Sequence, residues 1–305
     1  VSKDHTNILK RYVIPQYNYK IRENTDKIKG DREKELGNTN GVHPVHWLDE
    51  GLTKLLLDFC KYNSAICELH AEINLKELFD YLADDEAARI SFINKLSEIK
   101  NSSEGRLHEL LKAKNIFIDR KFPVLALLRR IVPYKSLDKF VEILENDSYR
   151  RRFRDSNIAL LIGGRVFDEW GKRQINRIKA LIEEHPRLKG HIGILEDYNS
   201  YDAVTIFQGV LGSIMISAAG KEASATSMMK VLLNGGIVIG SNDGAIPEIL
   251  IDFNQNEYDG NGFLVSYGLR DESQETKPSA ESLLKAFEDA SSIYYGRYSN
   301  DNPLG

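Results

Sequence analysis

The 305-residue chain is 42% apolar and 28% charged, the balance of a folded globular protein with one large core or two smaller ones, which excludes a disordered or fibrous chain. A formal net charge of −4 gives no electrostatic ground for wrapping a polyanion, so nucleic acid is not an expected partner and any anion site must be local. No apolar run approaches the ~20 residues that cross a bilayer, and the opening Val1-Ser2-Lys3-Asp4-His5 carries no signal-peptide core, so no membrane is expected and a cytoplasmic location is the default.

Residues 1 to about 40 are polar, dense in charge from Lys20 to Glu35, and close on Gly37-Asn38-Thr39-Asn40-Gly41, which reads as a helix followed by an exposed connection. The missing initiator methionine fits a chain cut from something longer. From Trp47 to about Asn115 apolar residues recur at helical spacing (Leu52, Leu55, Leu56, Phe59; Leu75, Leu78, Phe79, Leu82; Ile90, Phe92, Ile93, Leu96), which predicts three or four helices and no strand. Cys60 and Cys67 fall on one of these helical segments and are expected to be reduced structural thiols.

Beyond Phe117 short apolar runs take over: Pro123 to Leu128, Ile158 to Ile162, Ile192 to Leu195, Ile214 to Ile216, Ile237 to Ile239 and Phe263 to Val265. Helical stretches such as Leu137 to Leu144, Gly171 to Glu184 and Thr226 to Leu233 lie between them. That alternation predicts an α/β fold with a doubly wound parallel sheet, whose functional groups gather at the carboxyl ends of the strands. The residues expected there are Arg129-Arg130, Gly163-Gly164-Arg165, Glu196-Asp197-Tyr198, the loop before Lys230, and Asp243-Gly244.

Arg130 and Lys135 after the first strand, and Arg165 after the second, can clamp phosphate oxygens, arginine by its planar fork and lysine as a point charge. Ser224, Thr226 and Ser227 precede a helix whose free N–H groups favour an anion. Standing alone, Arg129, Arg130 and Lys135 read more readily as a solvated basic rim at a helix start than as a phosphate clamp, and Gly163-Gly164 as a tight turn. Lys230 alone would be a surface lysine, yet its neighbours Met228, Met229, Val231, Leu232 and Leu233 are apolar, so it needs a partner. His43 and His46 have no third ligand nearby, so no metal is expected. Glu196-Asp197 reads as a cap and a surface group, since adjacent residues at a strand end point to opposite sides.

The run Glu222-Ala223-Ser224-Ala225-Thr226-Ser227-Met228-Met229-Lys230, followed by Leu233-Asn234-Gly235 and Asp243-Gly244, resembles the cofactor-lysine segment of the α-glucan phosphorylases. Further matches run in the family's order along nearly the whole chain. Val1-Ser2-Lys3 with His5 resembles its Val-Ser-Lys-x-His helix, Thr39-Asn40-Gly41-Val42-His43 with Trp47-Leu48 its interdomain segment, and Arg129-Arg130-Ile131-Val132-Pro133-Tyr134-Lys135 its Arg-Arg-x-x-x-Tyr-Lys motif. Ile162-Gly163-Gly164-Arg165, Leu195-Glu196-Asp197-Tyr198 and Ile293-Tyr294-Tyr295 with Arg297 continue the series. The last two, with Tyr258-Asp259-Gly260 and Asn261-Gly262, are similar to the shorter, archaeal-type branch.

The resemblance implies the C-terminal half of a GT-B glycosyltransferase fold with extra helices before the sheet. Residues 1–45 would be the last helix of the N-terminal domain and the interdomain hinge, and residues 46–305 a Rossmann-like cofactor-binding domain. It implies pyridoxal 5′-phosphate on Lys230 as a Schiff base, its phosphate exchanging a proton with inorganic phosphate as the latter attacks the anomeric carbon of an α-1,4-glucan or maltodextrin to give glucose 1-phosphate. Carried over, Arg130 and Lys135 hold the substrate phosphate; Thr226, Ser227, Tyr198 and Arg129 bind the cofactor; Glu222, Ala223, Ser224 and Asn40 bind the sugar. The full-length protein would be a homo-oligomer, and the fragment alone inactive.

Ala225 stands where the family usually has glycine, Ser227-Met228 replaces a small-residue pair, Arg165 replaces lysine and Ser136 replaces arginine. Two other readings share the fold. A nucleotide-sugar glycosyltransferase of the glycogen or starch synthase kind carries a second glutamate seven intervening residues after the first, where this chain has Lys230. A catalytically decayed binding module would keep the fold and the lysine without turnover.

Overall fold

The computed structural model describes residues 42–62, 81–196, 198–255, 260–268 and 276–296. Val1–His5, Asn40, Cys67, Asp197, Tyr258-Asp259 and Arg297 lie outside them, as do the side chains of Phe59 and Cys60. The helical region opens with α1 (Pro44–Trp47), α2 (Glu50–Tyr62) and the long α3 (Glu86–Ala113). Asp85 starts α3 by accepting a hydrogen bond from the Ala88 N–H at 2.9 Å, which satisfies one of the free donors of the first turn.

The α/β unit follows: β1 (Val124–Leu128), α4 (Asp138–Glu145), α5 (Asp147–Asp155), β2 (Ala159–Gly163), α6 (Glu169–Glu184), β3 (Ile192–Leu195), α7 (Ser200–Gly209), β4 (Gly212–Met215), α8 (Ser227–Leu232), β5 (Ile237–Ser241), α9 (Ile246–Ile249), β6 (Gly262–Val265) and α10 (Ala280–Tyr294). All six strands are parallel, in the order β3-β2-β1-β4-β5-β6. The chain winds outward to β3, returns to β4 beside β1, and winds outward again, so the loops after β1 and β4 diverge and leave a crevice between them.

Both faces of the sheet are covered, which is why the strands read as apolar runs without polar alternation. Leu125, Leu127, Leu160 and Ile162 pack with Phe140, Ile178 and Phe287 from α4, α6 and α10. Val124, Ala126, Leu128 and Leu161 point the other way, toward Leu107 and Leu111 of α3 and Ile206 and Phe207 of α7. Each expected strand is present. β4 begins two residues earlier than its apolar run because Gly212 pairs with Ile237 too closely for a side chain; a Cβ there would lie 2.5 Å from the Ile237 carbonyl oxygen. α5 escapes the periodicity because, in Asp147–Asp155, Phe153 is the one buried residue among charges and hydroxyls.

Candidate functional site

The crevice between β1 and β4 is walled by residues 129–136 and 216–226. Arg129 leaves β1 with its N–H on the Gly163 carbonyl at 3.0 Å, and Gly164 presses against it so closely that a Cβ would sit 1.7 Å from the Arg129 oxygen. With φ at +151°, only glycine serves at Gly164. Pro133–Lys135 then forms one 3-10 turn that ends on Ser136 in the left-handed region, φ 57°, and this turns the Lys135 side chain inward. The second wall is tied to the first by Ala218 N–H on the Tyr134 carbonyl, 2.7 Å.

Here the structure gathers a buried charge cluster. Arg129 and Lys135 both close on the Glu222 carboxylate, and Arg129 also donates to the Ile216 carbonyl. The three side chains are each less than 9% exposed. Burial pushes the Lys135 ammonium down to about 8, helped by the repulsion of Arg129 and opposed by Glu222. Burial acts to raise the Glu222 carboxyl, but Arg129 and Lys135 outweigh it and hold the group below its ordinary value. Asp243, buried beside them, adds a second carboxylate that acts on Arg129, so the two cations are matched in number, and Lys135 also lies over the Tyr134 ring, 4.8 Å from its centre. Arg129 Nε and Ser224 Oγ are buried with no hydrogen-bond partner.

Glu222 is aimed by Asp243, a buried residue just past β5. One Asp243 oxygen accepts from Glu222 N–H at 2.8 Å, Lys221 N–H at 3.0 Å and Ser217 Oγ at 3.0 Å, and the other from Gly244 N–H at 2.9 Å. The sequence named Asp243 without a role; an acid two residues past a buried strand was its signal. Ala225 holds φ at +61°, the left-handed conformation that glycine takes without a Cβ clash.

Lys230 lies on α8, half-buried. Its Nζ is 3.8 Å from the centre of the Trp47 ring and 5.4 Å from that of Phe207, and among the described residues no carboxylate lies in ion-pair range. Burial lowers its pKa. The expected partner is thus an aromatic face, which attracts a cation by about 0.5–2 kcal/mol.

The remaining candidates divide. Arg129 and Lys135 depart from the solvated-rim reading, whereas Arg130 matches it, exposed with Nη2 3.3 Å from the Tyr134 hydroxyl. Thr226 and Ser227 open α8; Thr226 is helical in φ and ψ and makes no capping bond, which leaves its hydroxyl uncommitted. Ala223 is exposed and Ser224 buried. Tyr198 packs against the core on the α3–α7 side, and burial raises its hydroxyl pKa. Arg165 turns aside to a neighbouring cleft of about 450 Å³, shared with Lys172, Asn176 and Glu196, and Glu196 pairs with Lys179. Among the described residues no group of His, Cys, Asp or Glu has the arrangement of a metal site, and no helix is long and apolar enough to cross a membrane.

A doubly wound parallel sheet with its charged groups at the switch point defines an α/β protein of the Rossmann-like class, the half-architecture of GT-B glycosyltransferases. The family model described as carbohydrate phosphorylase matches residues 1–283, and the chain belongs to that family. It is 28% identical to the glycogen phosphorylase of Haemophilus influenzae over 70% of this chain and 27% of that protein. Identity is also 28% to the glycogen phosphorylase of Aquifex aeolicus, over 68% of this chain and 31% of the relative. The H isozyme of α-glucan phosphorylase from Triticum aestivum is 25% identical over 85% and 31%. The chain thus spans less than a third of the length of these relatives.

Proposed function

We propose that this chain is the cofactor-bearing part of an α-glucan phosphorylase, which cleaves an α-1,4-glucan or maltodextrin with inorganic phosphate to give glucose 1-phosphate. The observation that carries the reading is Lys230, a half-buried amine with an aromatic face and, among the described residues, no carboxylate partner, in a fold whose switch point holds a buried cluster with two cations. In this reading residues 1–45 belong with a preceding domain, residues 46–305 form the Rossmann-like unit, and the full-length protein is a cytoplasmic homo-oligomer.

The residues fit pyridoxal 5′-phosphate. An amine whose pKa burial lowers is more often neutral and nucleophilic, as carbonyl capture requires, and the buried, unpartnered Arg129 Nε and Ser224 Oγ offer donors to an acceptor-rich group. Lys230 would anchor the cofactor, with Thr226, Ser227, Tyr198 and Arg129 holding it. When bound, the group supplies a phosphate that trades a proton with the substrate phosphate.

The chain's own residues do the rest. Arg130 and Lys135 hold the substrate phosphate, and the Lys135 ammonium, charged at neutral pH, offsets negative charge where two phosphates meet. A phosphate oxygen that takes Lys135 competes with Glu222 for it, so Glu222 gains acceptor capacity for glucosyl hydroxyls. Ala223 and Ser224 present backbone N–H groups beside it, and Asn40 adds a sugar contact. A phosphate oxygen bonds the anomeric carbon as the glycosidic oxygen departs with a proton.

The full-length protein is to be assayed with maltodextrin and inorganic phosphate. Glucose 1-phosphate should appear, and Lys135→Ala should reduce its rate by about 10²–10³-fold, the usual loss for a buried charge-stabilising donor. Release of free glucose without phosphate, or transfer from a nucleotide sugar, would overturn the assignment.

A further inference from the structure

Lys230 stands against Trp47 although 183 residues of sequence separate them, and a helix of six residues has little rigidity of its own to fix a long side chain. Something must hold α8 and the end of α1 in register. Asn234, fully buried just past α8, meets both. Its Nδ2 donates to the Trp47 carbonyl and to the Lys230 carbonyl, each at 2.8 Å, and its Oδ1 accepts from the Asp49 N–H at 2.8 Å.

The end of α8 makes that bridge necessary. The Asn234 N–H turns to the Val231 carbonyl at 2.9 Å, so the Lys230 carbonyl receives the side-chain amide in place of the backbone donor four residues on. Both amide hydrogens face carbonyls and the amide oxygen faces an N–H, which fixes the orientation of the group. Aspartate lacks the two donors and leucine lacks all three bonds. The partners are themselves fixed: Asp49 accepts from Ser103 Oγ at 2.9 Å and pairs with Arg106 of α3, while Lys100 Nζ donates to the Asn234 backbone carbonyl at 2.9 Å.

We infer that Asn234 is a positioning residue, whose single side-chain amide ties the backbones of Trp47 and Lys230 together and thereby sets the Lys230 amine over the Trp47 ring. The functional meaning rests on reading Lys230 as the cofactor anchor, but the geometry is testable without any cofactor. Among the described residues the groups around the amine are few. Phe207 faces it from α7, where Asp202 is engaged by Lys114 at 2.9 Å, and His46 lies edge-on to Trp47 with ring centres 4.8 Å apart.

The test uses a Trp170→Phe, His46→Gln background of the full-length chain, so that Trp47 is the one tryptophan of the present sequence and Lys230 the titrating group on it; any tryptophan outside this sequence is replaced likewise. Trp47 emission is followed against pH, since an ammonium and an amine quench an indole differently. Asn234→Ala should raise the midpoint by about one pH unit as the amine moves toward water. Adduct formation at Lys230 with pyridoxal phosphate should then slow about tenfold at neutral pH, because the neutral fraction falls by that factor. Asn234→Ser, which keeps a buried hydroxyl but cannot span both carbonyls, should give the same shift and serves if the alanine variant does not fold. Lys100→Met disturbs the same corner through the backbone carbonyls of Asn234 and Gln208, leaves the side-chain amide its three bonds, and should leave the midpoint in place.

An unmoved midpoint in a folded Asn234 variant, or an equal shift from Lys100→Met, overturns the inference. A shifted midpoint with no adduct in the parent protein would keep the positioning role and sink the cofactor reading instead.

Discussion

Lys135 sits where burial and Arg129 disfavour its charge and Glu222 favours it, and the balance brings it from the ordinary 10.5 to about 8. Between those values the folded protein has released a proton that the unfolded chain still binds, so stability rises with pH across that window. Denaturant midpoints taken from pH 7.5 to 10.5 should show this slope, and Lys135→Met should flatten it. Glu222 has a linkage of the same sign at lower pH: its lowered pKa contributes stability above the ordinary 4.5, lost as pH falls through the folded value. Glu222→Ala leaves two buried cations without their carboxylate and should cost about 3–5 kcal/mol in urea unfolding at neutral pH. Ala225→Gly relieves about 1 kcal/mol of left-handed strain but removes a buried methyl worth about 0.8 kcal/mol and frees the unfolded backbone. These nearly cancel, so its melting temperature should stay within a few degrees.

The loop from Ile216 to Thr226 carries Glu222, yet α8 after it is short and has no side-chain cap, so the loop depends on what pins it. Asp243 does this through two backbone N–H groups and one hydroxyl. Asp243→Ala should therefore cost about 2–4 kcal/mol, as a buried ionic acceptor with several donors is lost. Raised hydrogen exchange confined to 217–222 would mark the loss as local. The strands were legible in sequence because burial on both faces demands apolar runs; their ends exposed Arg129 and Lys135 as candidates, and Glu222 came from the family resemblance. What was not legible depends on partners distant in sequence. Nothing local separates buried Arg129 from exposed Arg130; Gly164 and Ile216 do so in three dimensions. Asn234 likewise looks like a helix-ending polar residue until Trp47 and Asp49 stand beside it.

At the scale of the molecule, the strand order places the loops after β1 and β4 on opposite sides of one crevice, and this alone unites Lys135 and Glu222 across 87 residues. The same winding puts α8 against β4, β5 and α7, so Lys230 reaches an aromatic pocket formed with a segment far earlier in the chain. The buried charge at the switch point is thus local, in a chain whose net charge is negative. The most direct measurement is to incubate the full-length protein with pyridoxal phosphate, reduce with borohydride and map the modified lysine by mass spectrometry. The account predicts one dominant adduct, at Lys230, lost in Lys230→Ala; modification spread over surface lysines, with Lys230 untouched, would contradict it.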